Sequence, residues 1–256
     1  MNKDRRKKAL DVKEMRIQQI QQILREKNYI TVEELSQQLA VSPSTIRRDL
    51  AELSRRGLVV CGRNSVIPVS EMHTDTSISF RSGLNAQAKA SIARRASHLV
   101  QNNSLVYLDS SSTVLNMADY LRARKNVVVV TNSLLVMERL RGSGIPLYLI
   151  GGFLSERSHA FYGPLAEEAL NEYNFDCAFL SPVAITDEGY AAETTEIAAT
   201  IRKAVVRRTR SSVLLCDHSK IGQYRAYNIG HINTFQYIVT DDPVRIQNTT
   251  ATVLRV

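Results

Sequence analysis

The chain is poor in the features that mark secreted, metal-bound or membrane-embedded proteins. Only three cysteines occur in 256 residues, Cys61, Cys177 and Cys216. They are odd in number and far apart, with no C-x-x-C pair and no clustered Cys/His set, so they read as reduced intracellular thiols. Neither a structural metal nor a cofactor is expected. Long apolar runs are missing as well. The basic amino end leads into no apolar stretch, and no later segment approaches the roughly 20 apolar residues needed to cross a bilayer. A cytoplasmic protein without a membrane partner is the expectation. Internal repeats and low-complexity tracts are absent too.

What is present is charge, unevenly spread. The formal net charge is +8. Residues 1–68 hold fourteen Lys/Arg against eight Asp/Glu, whereas residues 69–256 hold nineteen against seventeen. The basic excess is therefore amino-terminal. Such an excess attracts phosphate backbones or anionic lipid surfaces without carrying sequence information, and a solvated charge run is the commoner explanation of Lys3 to Lys13. The first ten residues, polar and basic, are expected to be disordered until they meet an anionic partner.

The length suits two unequal domains, and the apolar pattern divides accordingly. From Lys13 to Leu53 apolar residues recur at helical spacing, with Met15, Ile17, Ile20, Ile23 and Leu24 in one run and Val32, Leu35 and Leu39 in the next; no strand is needed there. From Ser104 onward, short unalternated runs are separated by helical segments: Leu105 to Leu108, Val127 to Val130, Leu147 to Ile150, Ala178 to Leu180, Val213 to Leu215 and Tyr237 to Val239. Runs of this kind suit strands buried on both faces, as in a parallel sheet covered by helices. Ser65 to Asn85 lacks both periods. The reading is a basic, helical unit over 1–66, a linker over 67–84, and an α/β unit over 85–256.

The sharpest local signal lies between Tyr29 and Gly57. Thr31 with Glu34 three residues on is a capping box that opens a helix from Val32 to Ala40. Ser42 can cap a second helix, Pro43 fits its first position, and Gly57 can close it. Two helices joined by so short a turn form a helix-turn-helix. Within the second, Ile46, Leu50 and Leu53 make the buried stripe, leaving Ser44, Arg48, Ala51, Glu52 and Arg55 opposite, with Thr45 and Arg47 on the flanks. The first residues of such a helix reach base edges in the major groove while basic groups hold phosphates. Leu58 to Cys61, a turn through Gly62-Arg63-Asn64-Ser65, and Val66-Ile67 then read as a wing with Arg63 at its tip. The candidate DNA contacts are Thr31, Ser42, Ser44, Thr45, Arg47, Arg48, Arg55 and Arg63. The bland alternative is a capped helical hairpin whose arginines are merely solvated.

A second signal follows the strand Leu105 to Leu108. Asp109-Ser110-Ser111-Ser112-Thr113 joins it to a helical stretch from Val114 to Leu121, and a turn from strand end to helix start offers free amides and hydroxyls to an oxyanion. Lys220, near another strand end, could supply the countercharge; equally, Asp109 or a serine could simply cap the helix. Thr131 and Asn132 could bond a sugar hydroxyl or cap the next helix. Gly151 and Gly152 could admit a ligand to the backbone or just turn the chain.

Val41-Ser42-Pro43-Ser44-Thr45-Ile46-Arg47-Arg48-Asp49-Leu50 matches every fixed position of V-S-x-x-T-[IV]-R-R-D-[IL]. The segment from Tyr29 to Gly57 thus resembles the DNA-binding domain of the DeoR/GlpR family of bacterial sugar-metabolism regulators. The resemblance continues through Phe80-Arg81, Lys89, Ile92-Ala93, Thr131-Asn132-Ser133, Gly151-Gly152 and Asp217-His218-Ser219-Lys220. It implies a winged helix-turn-helix followed by a sensor domain of the fold shared with ribose-5-phosphate isomerase and coenzyme A transferases, with a mainly parallel sheet. It also implies a double-stranded DNA operator, a small-molecule effector of the phosphorylated-sugar class, and a homo-oligomer, dimer or tetramer. Glu196 and Lys203, seven apart on a helix from Thr195 to Arg208, align with an acidic and a basic position near the family's pocket, although a solvated helix face is the commoner meaning of such a pair. Three stretches depart from the pattern. Ser111 replaces a glycine, Cys61 to Val66 replaces the usual wing sequence, and Ser181 to Ile185 replaces G-A-x-G-[IL]. The rival reading, a sugar-phosphate isomerase with an appended basic segment, needs an acid/base pair. The isomerase-like D-G-A-D-E cluster is absent, leaving only Asp187, Glu193 and Glu196 as imaginable substitutes.

Overall fold

The computed structural model describes residues 3–27, 30–56, 58–61, 64–68, 77–246 and 248–256. The chain forms two compact units, Met1–Leu84 and Asn85–Val256.

The first unit opens with α1 (Lys3–Lys27). The expectation of disorder is thereby corrected for residues 3–10, residues 1–2 lying outside the described residues: Lys, Arg, Ala and Leu are good helix formers, and the turn that begins at Lys3 continues directly into the amphipathic run. Ile17, Ile20 and Leu24 of α1 are buried, whereas Met15 is 56% exposed and lies off the packed face. β1 (Ile30–Thr31) follows, then α2 (Val32–Gln38) and α3 (Pro43–Arg55). β2 (Val59–Cys61) and β3 (Ser65–Pro68) form the antiparallel wing. β1 pairs antiparallel with β3 through Ile30 opposite Val66, a strand that the helical reading of this region did not include. Two residues cannot show a period; only the partner strand makes them extended.

Both caps form as the residue types dictate. Thr31 Oγ1 accepts from the Glu34 amide, and the Glu34 carboxylate accepts from the Thr31 amide at 2.8 Å. Ser42 accepts from the Thr45 amide, with Pro43 in the first turn. α2 ends at Gln38, short of the expected Ala40, because Ala40 takes a left-handed φ of 52° to make the turn into α3. Ile46, Leu50 and Leu53 enter the core with Ile17, Ile20, Leu24, Val32, Leu35, Val59 and Val66. The expected closing Gly57 and the wing-tip residue Arg63 lie outside the described residues. Within the span read as linker, β3 reaches Pro68, and α4 (Ile78–Gly83) buries Ile78 and Phe80.

The second unit begins with α5 (Ala86–Ser97) and is built on a seven-stranded sheet. Its strands are β4 (Leu105–Leu108), β5 (Val128–Thr131), β6 (Leu147–Leu149), β9 (Phe175–Leu180), β12 (Thr209–Cys216), β14 (Tyr237–Thr240) and β15 (Thr252–Arg255). The order is β15-β14-β12-β9-β4-β5-β6, and every neighbouring pair is parallel. Alternate residues feed opposite cores. Val106, Leu108, Val129, Val213 and Leu215 pack on one face with α5, α6 (Ala118–Leu121) and α7 (Leu134–Leu140). Tyr107, Val130, Leu214 and Cys216 pack on the other with α8 (Pro164–Asn171) and α9 (Glu196–Arg207). Burial on both faces is why these runs lack polar alternation. Smaller antiparallel pieces complete the unit: the hairpin β7 (Phe153–Ser155) and β8 (Ala160–Tyr162), and a sheet of β10 (Ala184–Ile185), β11 (Tyr190–Glu193) and β13 (Tyr227–His231).

From β4 the chain steps outward through β5 and β6, then returns to β9 on the other side and continues through β12 and β14. The order therefore reverses between β4 and β9, and in open parallel sheets ligands occupy the crevice beyond the strand carboxyl ends at such a point. Asp109 follows β4 there, and Ser181 follows β9. Among the described residues no helix is long and apolar enough to cross a membrane, and no group of His, Cys, Asp or Glu could hold a metal ion.

Candidate functional site

On α3 the packed stripe leaves Ser44, Arg47, Arg48, Ala51 and Arg55 exposed, with Thr45 half-buried. These side chains are not equivalent. Arg55 pairs with Glu52, which also binds Arg56 at 3.1 Å, and Arg56 reaches Glu14 of α1 at 3.0 Å. Arg47 Nη2 donates to Asn64 Oδ1 of the wing at 3.5 Å, and Asn64 in turn donates to Glu33. Arg48 has no polar partner among the described residues, so its charge is uncompensated. The oxygens of Thr31 and Ser42 are taken up by their caps, Ser42 also sharing hydrogen bonds with Ser44 and Thr45 at 2.9 Å. Both hydroxyls thereby help to hold α2 and α3 in place. The next position, Asp49, turns inward: it is 2% exposed and accepts from Arg16 Nε of α1 at 2.5 Å. Sequence reading missed this pair, although an acidic residue beside Leu50 on the apolar side was a visible signal.

In the second unit the loop after β4 is buried throughout, from Asp109 to Thr113. Asp109 Oδ1 accepts from the Ser111 amide at 2.8 Å, and Oδ2 accepts from the Ser181 amide at 2.9 Å and from Arg202 Nε at 3.0 Å. Both oxygens thus accept hydrogen bonds within the chain, and Asp109 braces the loop. The cap falls to Ser111, whose Oγ accepts from the Val114 amide at 3.1 Å at the start of a 3-10 turn, Val114–Met117. Serine in place of glycine here supplies a cap and meets no positive φ. Ser110 shares a hydrogen bond with Tyr162 at 3.2 Å, while Ser112 lends its carbonyl to Asn116. Thr113 is fully buried, and its Oγ1 has no hydrogen-bond partner among the described residues.

The end of β5 is equally engaged. Thr131 Oγ1 donates to the Leu108 carbonyl at 2.7 Å and accepts from the Ser133 amide. Asn132 accepts from the Tyr107 hydroxyl at 2.9 Å and donates to the Phe161 carbonyl at 2.9 Å. Burial, then Asp109, pushes the Tyr107 phenol well above its ordinary 10.0, so it stays a donor. Ser133, not Thr131 or Asn132, caps α7. Gly152 has φ +139°, and a Cβ there would lie 2.4 Å from the Tyr162 carbonyl, so its lack of a side chain serves the β7–β8 hairpin; Gly151 has open space around it.

On α9, Glu196 and Lys203 both lie on the exposed side, while Arg202 is buried and joins Asp109 to Glu193, the latter at 3.5 Å. Burial alone would lower the Arg202 pKa, but Glu193 and Asp109 outweigh it and raise it. Arg202 falls on the stripe of Ala198, Ile201 and Val205, and a charge on an apolar stripe was the sign by which it could have been found. Lys220, half-buried, donates to Ser181 Oγ at 2.7 Å and to the Pro182 carbonyl at 2.8 Å. Asp217 accepts from Asn85 at 2.8 Å and from Ser219. Desolvation would raise its pKa, yet Lys220, these hydrogen bonds and Lys89 hold it below its ordinary 3.8. His218 lies outside the crevice cluster and pairs with Asp241 at 2.6 Å.

Residues 16–70 match the DeoR-like helix-turn-helix domain, and residues 84–242 match the DeoR C-terminal sensor domain. The chain is 31% identical over 232 residues to a putative aga operon transcriptional repressor of Escherichia coli, covering 90% of this chain and 86% of that one. It is 28% identical over 224 residues to the glycerol-3-phosphate regulon repressor of Escherichia coli, covering 87% and 88%. Among solved structures, ribose 5-phosphate isomerase A from Methanocaldococcus jannaschii aligns over 54% of this chain and 55% of its own, at 21% identity and a TM-score of 0.41. With both domains matched in order and an exposed arginine face on α3, the chain belongs to the DeoR family of helix-turn-helix transcriptional regulators.

Proposed function

We propose that this protein represses carbohydrate-metabolism genes by placing α3 in the major groove of an operator, and that a phosphorylated sugar or related metabolite in the crevice of the second unit relieves that repression. The observation that carries the first half is Arg48. It stands beside Arg47 near the start of a helix whose opposite face is buried, and it has no polar partner among the described residues. An arginine so placed can bridge guanine O6 and N7, while Ser44, Thr45 and Arg47 serve bases or phosphates alongside. Arg55 is shared with Glu52 and contributes mainly charge.

For the second half, the support is a cluster of hydroxyls at the end of β4, with Lys220 at the end of β9 as countercharge. Burying a hydroxyl without a partner is costly, so the orphan Thr113 Oγ1 reads as a group awaiting one. Asp109, Thr131, Asn132 and Arg202 hold the walls. A homo-oligomer, dimer or tetramer, presents two α3 helices to paired half-sites, and the effector shifts the population competent to bind both. A coupling of about 1–3 kcal/mol between the sites suffices. Such a regulator works in the cytoplasm, where buried Cys177 and Cys216 remain thiols, each pushed up to about 12 chiefly by burial.

Operator gel shifts on the full chain with and without a panel of sugar phosphates, run beside a turnover assay on the same panel, test this reading. The expected result is sequence-specific binding weakened by one of the phosphates, with no turnover. Binding that is indifferent to sequence, or isomerisation without operator binding, would overturn it.

A further inference from the structure

The turn after β12 sends Lys220 across to the end of β9, where Ser181 receives it. The Ser181 hydroxyl donates to the Leu215 carbonyl at 2.6 Å and accepts from Lys220 Nζ at 2.7 Å. Chemistry fixes these directions, because a carbonyl has no proton to give and an ammonium no lone pair. Ser181 cannot turn away. It is 2% exposed, and its amide is bound to Asp109 Oδ2, the oxygen that Arg202 also holds. A continuous tie therefore runs from Arg202 through Asp109 and Ser181 to the ammonium. Lysine is a flexible stem bearing a point charge, and its rotamer freedom must be lost before it can meet an oxyanion. Holding the ammonium in advance removes that loss from the binding step.

We propose that Ser181 is a positioning residue of the effector site: its hydroxyl sets the Lys220 ammonium at the carboxyl end of β9 and thereby gives the site its demand for an oxyanion-bearing effector over a neutral sugar. This rests on the reading of Lys220 as the effector's countercharge. Ser181 acts through Lys220 and needs no contact of its own with the effector. Without the hydroxyl, Lys220 loses one of the acceptors that fix the position of its ammonium. The loss then falls on the charged part of the ligand.

The test is titration calorimetry of the full chain with inorganic phosphate at constant ionic strength, with chloride as the control anion. The unaltered protein is compared with Lys220→Ala, Ser181→Ala and Ser181→Cys, the last nearly isosteric but a weak acceptor. Lys220→Ala should abolish phosphate binding. Both Ser181 variants should weaken it about tenfold or more, the scale of one lost hydrogen bond to a charged group. Melting temperatures without phosphate, and the phosphate-induced rise, are read separately. A merely structural Ser181 would lower the first and leave the second unchanged, which overturns the proposal. Phosphate affinity equal to the unaltered protein's in the Ser181 variants, with Lys220→Ala still deficient, also overturns it and leaves the reading of Lys220 standing. Affinity unchanged in Lys220→Ala, or absent from every protein including the unaltered one, overturns that reading and the proposal together.

Discussion

Adjacent side chains on α3 have opposite fates, and their variants should fail in different assays. Arg48→Ala should weaken specific operator binding by about 1–3 kcal/mol, the worth of a bidentate base contact, and leave urea unfolding unchanged. Unaltered binding in that variant would remove Arg48 from the interface. Asp49→Ala should do the reverse, because it strands Arg16 against the core of the first unit. The expected cost is about 2–3 kcal/mol, toward the lower end for a broken buried pair since Arg16 keeps some solvent contact. A denaturation midpoint equal to that of the unaltered protein would show the pair to be idle. His218 offers a reading by titration. Its hydrogen bond to Asp241 raises its pKa above the ordinary 6.5. The pair therefore stabilises fully below that value, and its contribution is lost as pH rises through the folded pKa. Asp217 has the opposite sign: its contribution is present above 3.8 and lost as pH falls through the lowered folded value. In Asp241→Asn the His218 resonance should titrate lower than in the unaltered protein; an unmoved midpoint would assign the shift elsewhere.

At the scale of elements, legibility followed the range of the determining interaction. The caps at Thr31 and Ser42 bond within three residues, so their sequence signature sufficed. Each is open to test: Ser42→Ala should lower stability by about 1 kcal/mol, seen as a fall in melting temperature. The sheet strands were legible because burial on both faces suppresses polar alternation. β15 was not, since Thr252 and Arg255 of this edge strand are exposed and the run looks like loop. β1 is two residues long and owes its conformation to Val66 and Ser65 far along the chain. The role of Gly152 was equally hidden, because the Tyr162 carbonyl that crowds it lies across a hairpin. Gly152→Ala should loosen β7–β8, giving faster amide exchange at Phe161, whose amide binds the Asn132 carbonyl. Unchanged exchange there would mean that the hairpin absorbs the methyl.

For the whole molecule, the uneven charge has a measurable consequence. Operator affinity should fall steeply with salt, since each neutralised phosphate releases counterions and contributes about −0.9 to the log–log slope. If paired half-sites are engaged, inserting about five base pairs between them turns one to the opposite side of the duplex and should weaken binding at least tenfold. Equal affinity for both spacings, measured by gel shift, would reject the paired arrangement.

Sequence by itself determined the helix-turn-helix, its caps, the arginine face, the α/β class of the second unit and the family, because each depends on neighbours a few residues apart or on burial periodicity. Tertiary structure decided which polar residues face inward. Asp109, Asn132 and Asp49 are committed to partners, Arg202 is the buried base of α9, and Ser181 meets Lys220 across thirty-nine positions. Such pairings depend on strand order and helix rotation. Neither leaves a trace at short range, so they exist only once the parallel sheet has brought its carboxyl ends together.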